Sequence, residues 1–323
     1  MLVQLVSAAD PAFAEAARAL RLAVLRAPWG QPLEADNTPP AEDLALVEDG
    51  RLLATGRLFV AADGAAQLRA MAVPEAARGR GLGRRMLGAL EARARGRGCT
   101  RLWANARSTA LPFYRAAGWR DAGPAPTLFG QIPHRRIEKD IDHADYRPWG
   151  LRRRPARDAD RAALEALIFG ALADYGLAPE REGFDRDLAE VEAHYRDGVL
   201  WLFEDAQDRE DTQAREDAQD REDAQGRLQA SCGLLPESPD CWELRRMYLA
   251  PALRGRGLGR ALLGAAIAHA RAAGVRELVL ETATPLREAR ALYAWAGFRP
   301  AAGALATQRC DQRMQLDLGA PAR

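Results

Sequence analysis

The chain repeats itself once, at the length of a whole domain. The stretch from Leu68 reads L-R-A-M-A-V-P-E-A-A-R-G-R-G-L-G-R, and that from Leu244 reads L-R-R-M-Y-L-A-P-A-L-R-G-R-G-L-G-R; they align without a gap at an offset of 176 residues. Further along, Phe113-Tyr114 and Gly118-Trp119 are echoed by Leu292-Tyr293 and Gly297-Phe298. Solenoid units run to about 20–50 residues, so this period marks a duplicated domain instead. A chain of 323 residues has room for two domains of ordinary size, each able to bury its own core.

The break between copies is expected near Asp140–Gly150, which is polar, contains Pro148 and keeps neither a helical nor a strand period. This predicts a first domain over 1–142, a linker over 143–150 and a second domain over 151–319. Each copy reads as strand, helix, hairpin, strand, glycine loop, helix, strand, helix and final strands. In the first copy the hairpin turns at Asp49-Gly50. The helix after its glycine loop is predicted from Leu82 to Arg95, and its counterpart from Leu258 to Ala272. Asp10-Pro11 and Asp160 are read as helix starts. The fold class expected is α/β: two tandem domains, each a mixed, largely antiparallel sheet flanked by helices.

One segment has no counterpart. Glu204–Arg227 is four hexapeptides of the type E-D-A-Q-D-R, holding ten acidic residues and four arginines, where the first copy has only a tight turn. With no apolar face it cannot offset its ordering entropy by burial, and slippage of a DNA repeat into a surface turn explains it without a partner. Over the whole chain the net charge is only +1. Arg84, Arg85, Arg93, Arg95, Arg97 and Arg101 do cluster, but they spread round a helix without interleaved aromatics and the second copy lacks them, which argues against nucleic acid. The four cysteines and four histidines are scattered without ligand spacing, so no metal site is expected. Residues 1–13 have no basic region and carry Asp10, unlike a signal peptide. No apolar run reaches the roughly 18 residues that span a bilayer. These features predict a cytoplasmic protein.

Arg78-Gly79-Arg80-Gly81-Leu82-Gly83-Arg84 and Arg254-Gly255-Arg256-Gly257-Leu258-Gly259-Arg260 each lie between a strand and an amphipathic helix. Such a loop can aim several backbone N–H groups at an anion, and the helix N-terminus adds the positive end of its dipole. The spacing is not that of a dinucleotide fingerprint, and no G-K-[ST] follows to make a nucleoside-triphosphate loop.

Each copy resembles the GNAT superfamily of N-acetyltransferases. The resemblance rests on R-G-R-G-L-G, on the preceding M-A-V-P and M-Y-L-A segments, and on Tyr114…Gly118-Trp119 and Tyr293…Gly297-Phe298, and it covers nearly the whole chain. It implies that the loops bind the pyrophosphate of acetyl-CoA, with backbone around Met71 to Val73 and Met247 to Leu249 pairing with the pantetheine arm and one N–H polarising the thioester carbonyl. It implies that Tyr114 and Tyr293 protonate the leaving thiolate, and that the partners are acetyl-CoA and an amine acceptor.

The copies differ where the resemblance sets a general base. Glu243 lies eleven residues before Arg254; the same position before Arg78 is Gln67, which cannot accept a proton near neutral pH. His134 is the other candidate base in the first copy, and aligning the last strands sets Asp311 opposite it. The acceptor pocket is expected between the stretches 21–31 or 169–175 and the late strands. Three readings follow: an N-acetyltransferase acting on a primary amine of a small molecule or peptide, with the second domain the catalytic one; a pair in which one copy only binds acyl-CoA or braces the fold; and, weakest, a basic nucleic-acid binder.

Overall fold

A computed structural model describes residues 4–7, 11–31, 41–61, 63–206 and 228–319. The chain divides into two compact units, one made of Met1–Arg95 with Cys99–Ile141, the other containing Asp142–Arg323. Each holds a seven-stranded sheet. The first contains β1 (Gln4–Ser7), β2 (Glu42–Glu48), β3 (Arg51–Val60), β4 (Ala65–Ala72), β5 (Arg101–Arg107), β6 (Arg120–Leu128) and β7 (Ile132–Asp140), in spatial order β1-β2-β3-β4-β5-β7-β6. The second contains β8 (Leu151–Pro155), β9 (Val199–Asp205), β10 (Leu228–Pro236), β11 (Cys241–Leu249), β12 (Glu277–Thr282), β13 (Arg299–Ala301) and β14 (Gln312–Asp317), in the same relative order. All pairings are antiparallel except β4 with β5 and β11 with β12.

Those two parallel pairs need crossover helices. They are α2 (Leu82–Gly96) and α6 (Leu258–Ala272), the latter on the predicted residues. Their apolar faces fill the cores: Met86, Leu87 and Leu90 in the first copy, Leu262, Leu263, Ala266 and Ile267 in the second, all almost fully buried. Preceding helices are α1 (Pro11–Arg21) and α4 (Arg161–Ala173); α5 (Val191–His194) is one turn. The tyrosine-bearing helices are α3 (Leu111–Arg115) and α7 (Arg287–Ala296).

Several expectations need adjustment. Asp160 precedes α4, but its carboxylate turns back to accept the Arg157 N–H at 2.8 Å and to pair with Arg154, so it closes the turn before the helix. Asp10 lies outside the described residues. Tyr146, within the stretch read as linker, is 1% exposed and packs on Phe203 of the second core with ring centroids 4.7 Å apart. Of the acidic insert, residues 207–227 lie outside the described residues. Glu204 at its start is buried against Arg152 and Arg154. The copies also end differently: β6 runs nine residues beside β7, whereas β13 has only three, leaving 302–311 as a loop.

Candidate active site

β4 and β5 are paired at only three positions, the last being Gln67 with Trp103. β11 and β12 do the same, ending at Glu243 with Val279. Beyond these points the strands part, which leaves the facing backbone of 68–72 and 244–249 without a strand partner in the sheet. On its other edge each strand carries a bulge. Ala70 and Met71 oppose the single Gly56, and Arg246 and Met247 oppose Cys232. Ala70 (φ 49°) and Arg246 (φ 53°) sit in the left-handed region, a conformation that non-glycine residues hold only under constraint from their surroundings. The bulge therefore re-aims the main chain in both copies at the same place.

The glycine loops close the wide end of each splay. Gly79, Gly81, Gly255 and Gly257 all have φ between 72° and 78° or at 82°, so the loop's path, more than any crowding, demands glycine there: no atom lies within 4 Å of an added Cβ. Neither α2 nor α6 has an acidic residue in its first turn, and Gly257 supplies no side-chain cap to α6. The first-turn N–H groups are thus available to an anion. Arg254 pairs with Asp174 at 2.9 Å and donates to the Leu249 carbonyl at 3.3 Å, while Arg260 lies over the Trp295 ring. In the first copy Arg80 pairs with Glu48 at 2.9 Å. Leu82 and Leu258 point into the cores, so they can offer a ligand only main-chain atoms. The Arg256 carbonyl accepts the Trp149 indole N–H at 3.0 Å. These features fit a pyrophosphate with an extended arm lying in the splay, the form of coenzyme A.

In the second copy the splay opens into a cleft of about 720 Å³. It gathers Glu243, Met247, Leu249, Arg254, Gly255, Gly257, Gly259, Arg260 and Tyr293, with Ala171, Leu172 and Tyr175 from the end of α4 and the following turn. The Glu243 side chain is 12% exposed, with the Arg245 guanidinium 3.6 Å away. Burial raises its pKa to about 7; Arg245 and Arg313 oppose this, and Glu281 and Glu237 reinforce it. Tyr293 is 8% exposed, and burial, with Tyr248 and two cysteines nearby, pushes its hydroxyl above the usual phenol range. Tyr114 is likewise raised, to about 12, by burial alone. Both hydroxyls stay protonated at neutral pH.

His134 and Asp311 occupy corresponding strand starts but do different things. His134 places Nδ1 2.8 Å from the Ile132 carbonyl. Asp311 accepts the Thr284 N–H at 2.9 Å and does not line the cleft, although Arg309 and Cys310 do.

Two groups escaped the sequence reading. Glu281, on β12, lines the cleft with Glu243. Behind the bulge lies an ion cluster: Arg246 meets Asp185 at 2.5 Å and also Asp187, Arg309 meets Asp185 at 2.6 Å, and Tyr195 donates to Asp187 at 3.0 Å. Burial opposes ionisation of Asp185, yet the Arg309 hydrogen bonds, the Glu180 N–H and the Arg246 charge hold its carboxyl well below the usual range. The cluster ties the turn 184–188 and the loop after β13 to the bulge. At the position of Arg246 the first copy has only Ala70.

A family model described as the acetyltransferase (GNAT) family matches residues 9–119 and 184–298, more than half of the chain and once in each copy. The chain belongs to the GNAT family. It is 40% identical over 82 residues to an uncharacterized N-acetyltransferase, YjgM, of Escherichia coli K12; this match spans 24% of the chain and 49% of that protein. Among solved structures it is similar to an acetyltransferase of the GNAT family from Staphylococcus aureus Mu50, at 15% identity and a TM-score of 0.43 over 52% of this chain and 99% of that one. It is also similar to an acyl-CoA N-acyltransferase from Pseudomonas aeruginosa, at 24% identity and a TM-score of 0.38 over 43% and 99%. No helix among the described residues is long and apolar enough to cross a membrane.

Proposed function

We propose that the second copy transfers an acetyl group from acetyl-CoA to a primary amine, with Glu243 as general base and Tyr293 as acid. The carrying observation is that Glu243, shifted to about 7, shares one cleft with the glycine loop and a protonated, buried tyrosine. Acetyl-CoA supplies an activated acyl carbon and a thiolate leaving group. Glu243 takes the first proton from the arriving ammonium, which frees the nitrogen lone pair. Main-chain N–H groups at the bulge face the thioester oxygen and stabilise the charge it gains. The C–N bond forms and the C–S bond breaks; Tyr293 gives its proton to the thiolate and recovers one from the nitrogen. Of the three ammonium protons, one stays on the amide, one ends on the thiol and one leaves through Glu243.

Because Glu243 works only when ionised, turnover rises with pH through about 7. The test is the pH profile of CoA release with an alkyl primary amine in the wild type and in Glu243→Gln. The expected result is loss of that limb in the variant; an unchanged profile would remove Glu243 from the chemistry. For the first copy, the same loop, splay and bulge support acyl-CoA binding, while Gln67 in place of the base favours a binding or bracing role over catalysis.

A further inference from the structure

Glu281 makes an unusual set of contacts for a buried acid. Its side chain is 3% exposed. Oε1 accepts the Ala306 N–H at 2.8 Å and lies 3.7 Å from Arg313. Oε2 is buried and has no hydrogen-bond partner among the described residues. Leaving a carboxylate oxygen unpaired in a dry site is costly, and native folds keep such atoms mainly where something else will satisfy them. Glu281 lies two residues beyond Val279, the strand partner of Glu243, so strand alternation returns it to the same face. Both line the cleft.

The surrounding charges leave this oxygen in need of a cation. Arg313 is committed to Glu237 through contacts of 2.6 and 2.8 Å, and Arg245 stacks 4.0 Å over Phe184 beside Glu243. Three carboxylates, Glu237, Glu243 and Glu281, thus face two guanidiniums. The first copy keeps both arginines, as Arg69 and Arg136, and has Ala61, Gln67 and Asn105 where the acids stand. The acids change as a set while the scaffold stays.

We propose that Glu281 is the anchor for the acceptor's ammonium group, its Oε2 taking one N–H of a protonated aliphatic amine and presenting the nitrogen to Glu243. This rests on the second copy being an amine acetyltransferase. An aliphatic amine resembles the lysine side chain, with a pKa near 10.4, so it arrives as a cation at neutral pH. Aromatic amines, neutral there, gain nothing from the anchor. Glu281 is a specificity residue for alkylammonium acceptors, separate from the proton transfer itself.

The test is a titration of full-length protein carrying carboxyl-13C glutamate with n-butylammonium chloride, and with n-butanol as the uncharged isostere. Butylammonium should move the Glu281 carboxyl resonance. In Glu281→Gln its Kd should weaken by about ten-fold or more, as expected for losing a charged hydrogen-bond partner, while butanol binding stays constant. Glu281→Asp, which disturbs packing at least as much but keeps the charge, should bind far better than Glu281→Gln. Equal butylammonium affinity in the wild type and Glu281→Gln, or a Glu281 resonance that ignores the cation, would overturn the anchor. A parallel CoA titration on the same samples separates this from failure of the donor site, because that site lies at the glycine loop and does not use Glu281.

Discussion

Where the fourth strand of each copy parts from the fifth, the second copy sets Glu237, Glu243 and Glu281 beside Arg245 and Arg313; the first sets Ala61, Gln67 and Asn105 beside Arg69 and Arg136. The backbones correspond through the bulge and the left-handed glycines. The electrostatics do not. In the second copy burial raises Glu243 to about 7, and Glu281 and Glu237 add to that rise against Arg245 and Arg313. In the first, Arg136 stacks 3.5 Å from the centre of the Trp103 ring and pairs with Glu138, and Arg69 lies over Phe59. There the two arginines lie over aromatic rings, with no acid at the three positions that carry Glu237, Glu243 and Glu281 in the second copy. The backbone geometry shared by the copies survives side-chain replacement; the charges beside it do not.

The largest effect should come from the proposed base. Glu243→Gln is expected to cost about 10²–10⁴-fold in acetyl transfer near neutral pH, the usual worth of a positioned base, with CoA affinity unchanged. Gln67→Glu should leave the second copy's turnover untouched. Full activity in Glu243→Gln combined with loss in a Tyr114 or His134 variant would reverse the comparison and move the chemistry to the first copy.

Next comes the ion cluster that only the second copy has. Arg246→Ala copies Ala70, takes the cation from buried Asp187 and leaves Asp185 with Arg309 alone, which should cost up to about 3–5 kcal/mol of stability. Adding Asp185→Asn and Asp187→Asn should recover part of that, since it neutralises the carboxylate that Arg246→Ala leaves without a cation. Asp185 has a depressed folded-state pKa, so its contribution is present above the unfolded carboxylate range and is lost as pH falls. Thermal melts of the wild type between neutral and acid pH should therefore fall more steeply than those of the triple variant; parallel curves would show that the cluster is not the acid-sensitive element.

A smaller and symmetrical effect is expected at the loops. Gly81→Ala and Gly257→Ala each force a side chain into left-handed backbone, at about 1–2 kcal/mol. Calorimetry should find two CoA sites per chain in the wild type, with only the matching one weakened in each variant. A single site in the wild type would show that one copy has lost even the donor half.

The duplication made the fold readable. Glycine loops, crossover helices and alternating strands are local patterns, and two copies of each distinguish them from chance; α6 spans the residues that its sequence pattern predicts. Glu243 is singled out by the family resemblance, at an eleven-residue spacing from Arg254 that one strand and one loop fix. Glu281 lay in view of the same alignment, opposite Asn105, but E-L-V-L-E-T carries no motif, and its burial and its proximity to Glu243 arise only when β12 pairs with β11. The Arg246 cluster was hidden for a related reason. Its aspartates are about sixty residues away in F-D-R-D-L, which reads as a polar turn until the bulge brings Arg246 to it. Nothing in Ala70 or Arg246 announces left-handed backbone.

The smallest effect should come from the most conspicuous difference in sequence. The first copy joins its central hairpin through Asp49 and Gly50, both in left-handed backbone, and the second uses the four hexapeptides. Removing Glu204–Arg221 in register leaves one hexapeptide between Phe203 and Leu228, and Glu222 then takes the place of Glu204, whose pairs with Arg152 and Arg154 join β8 to β9. Cutting the connection four-fold returns loop-closure entropy of about 1.2 kcal/mol at most, at roughly 0.6 kcal/mol per halving. For a domain of this size that is a rise in melting temperature of about 2–5 °C. Acetyl transfer should not change, because the described residues that line the cleft come from 171–184, 243–260 and 281–310. A melting temperature that falls, or turnover reduced several-fold, would mean that the acidic block has a packed or partner-binding role, and the copies would then differ by an acquired function as well as by charge.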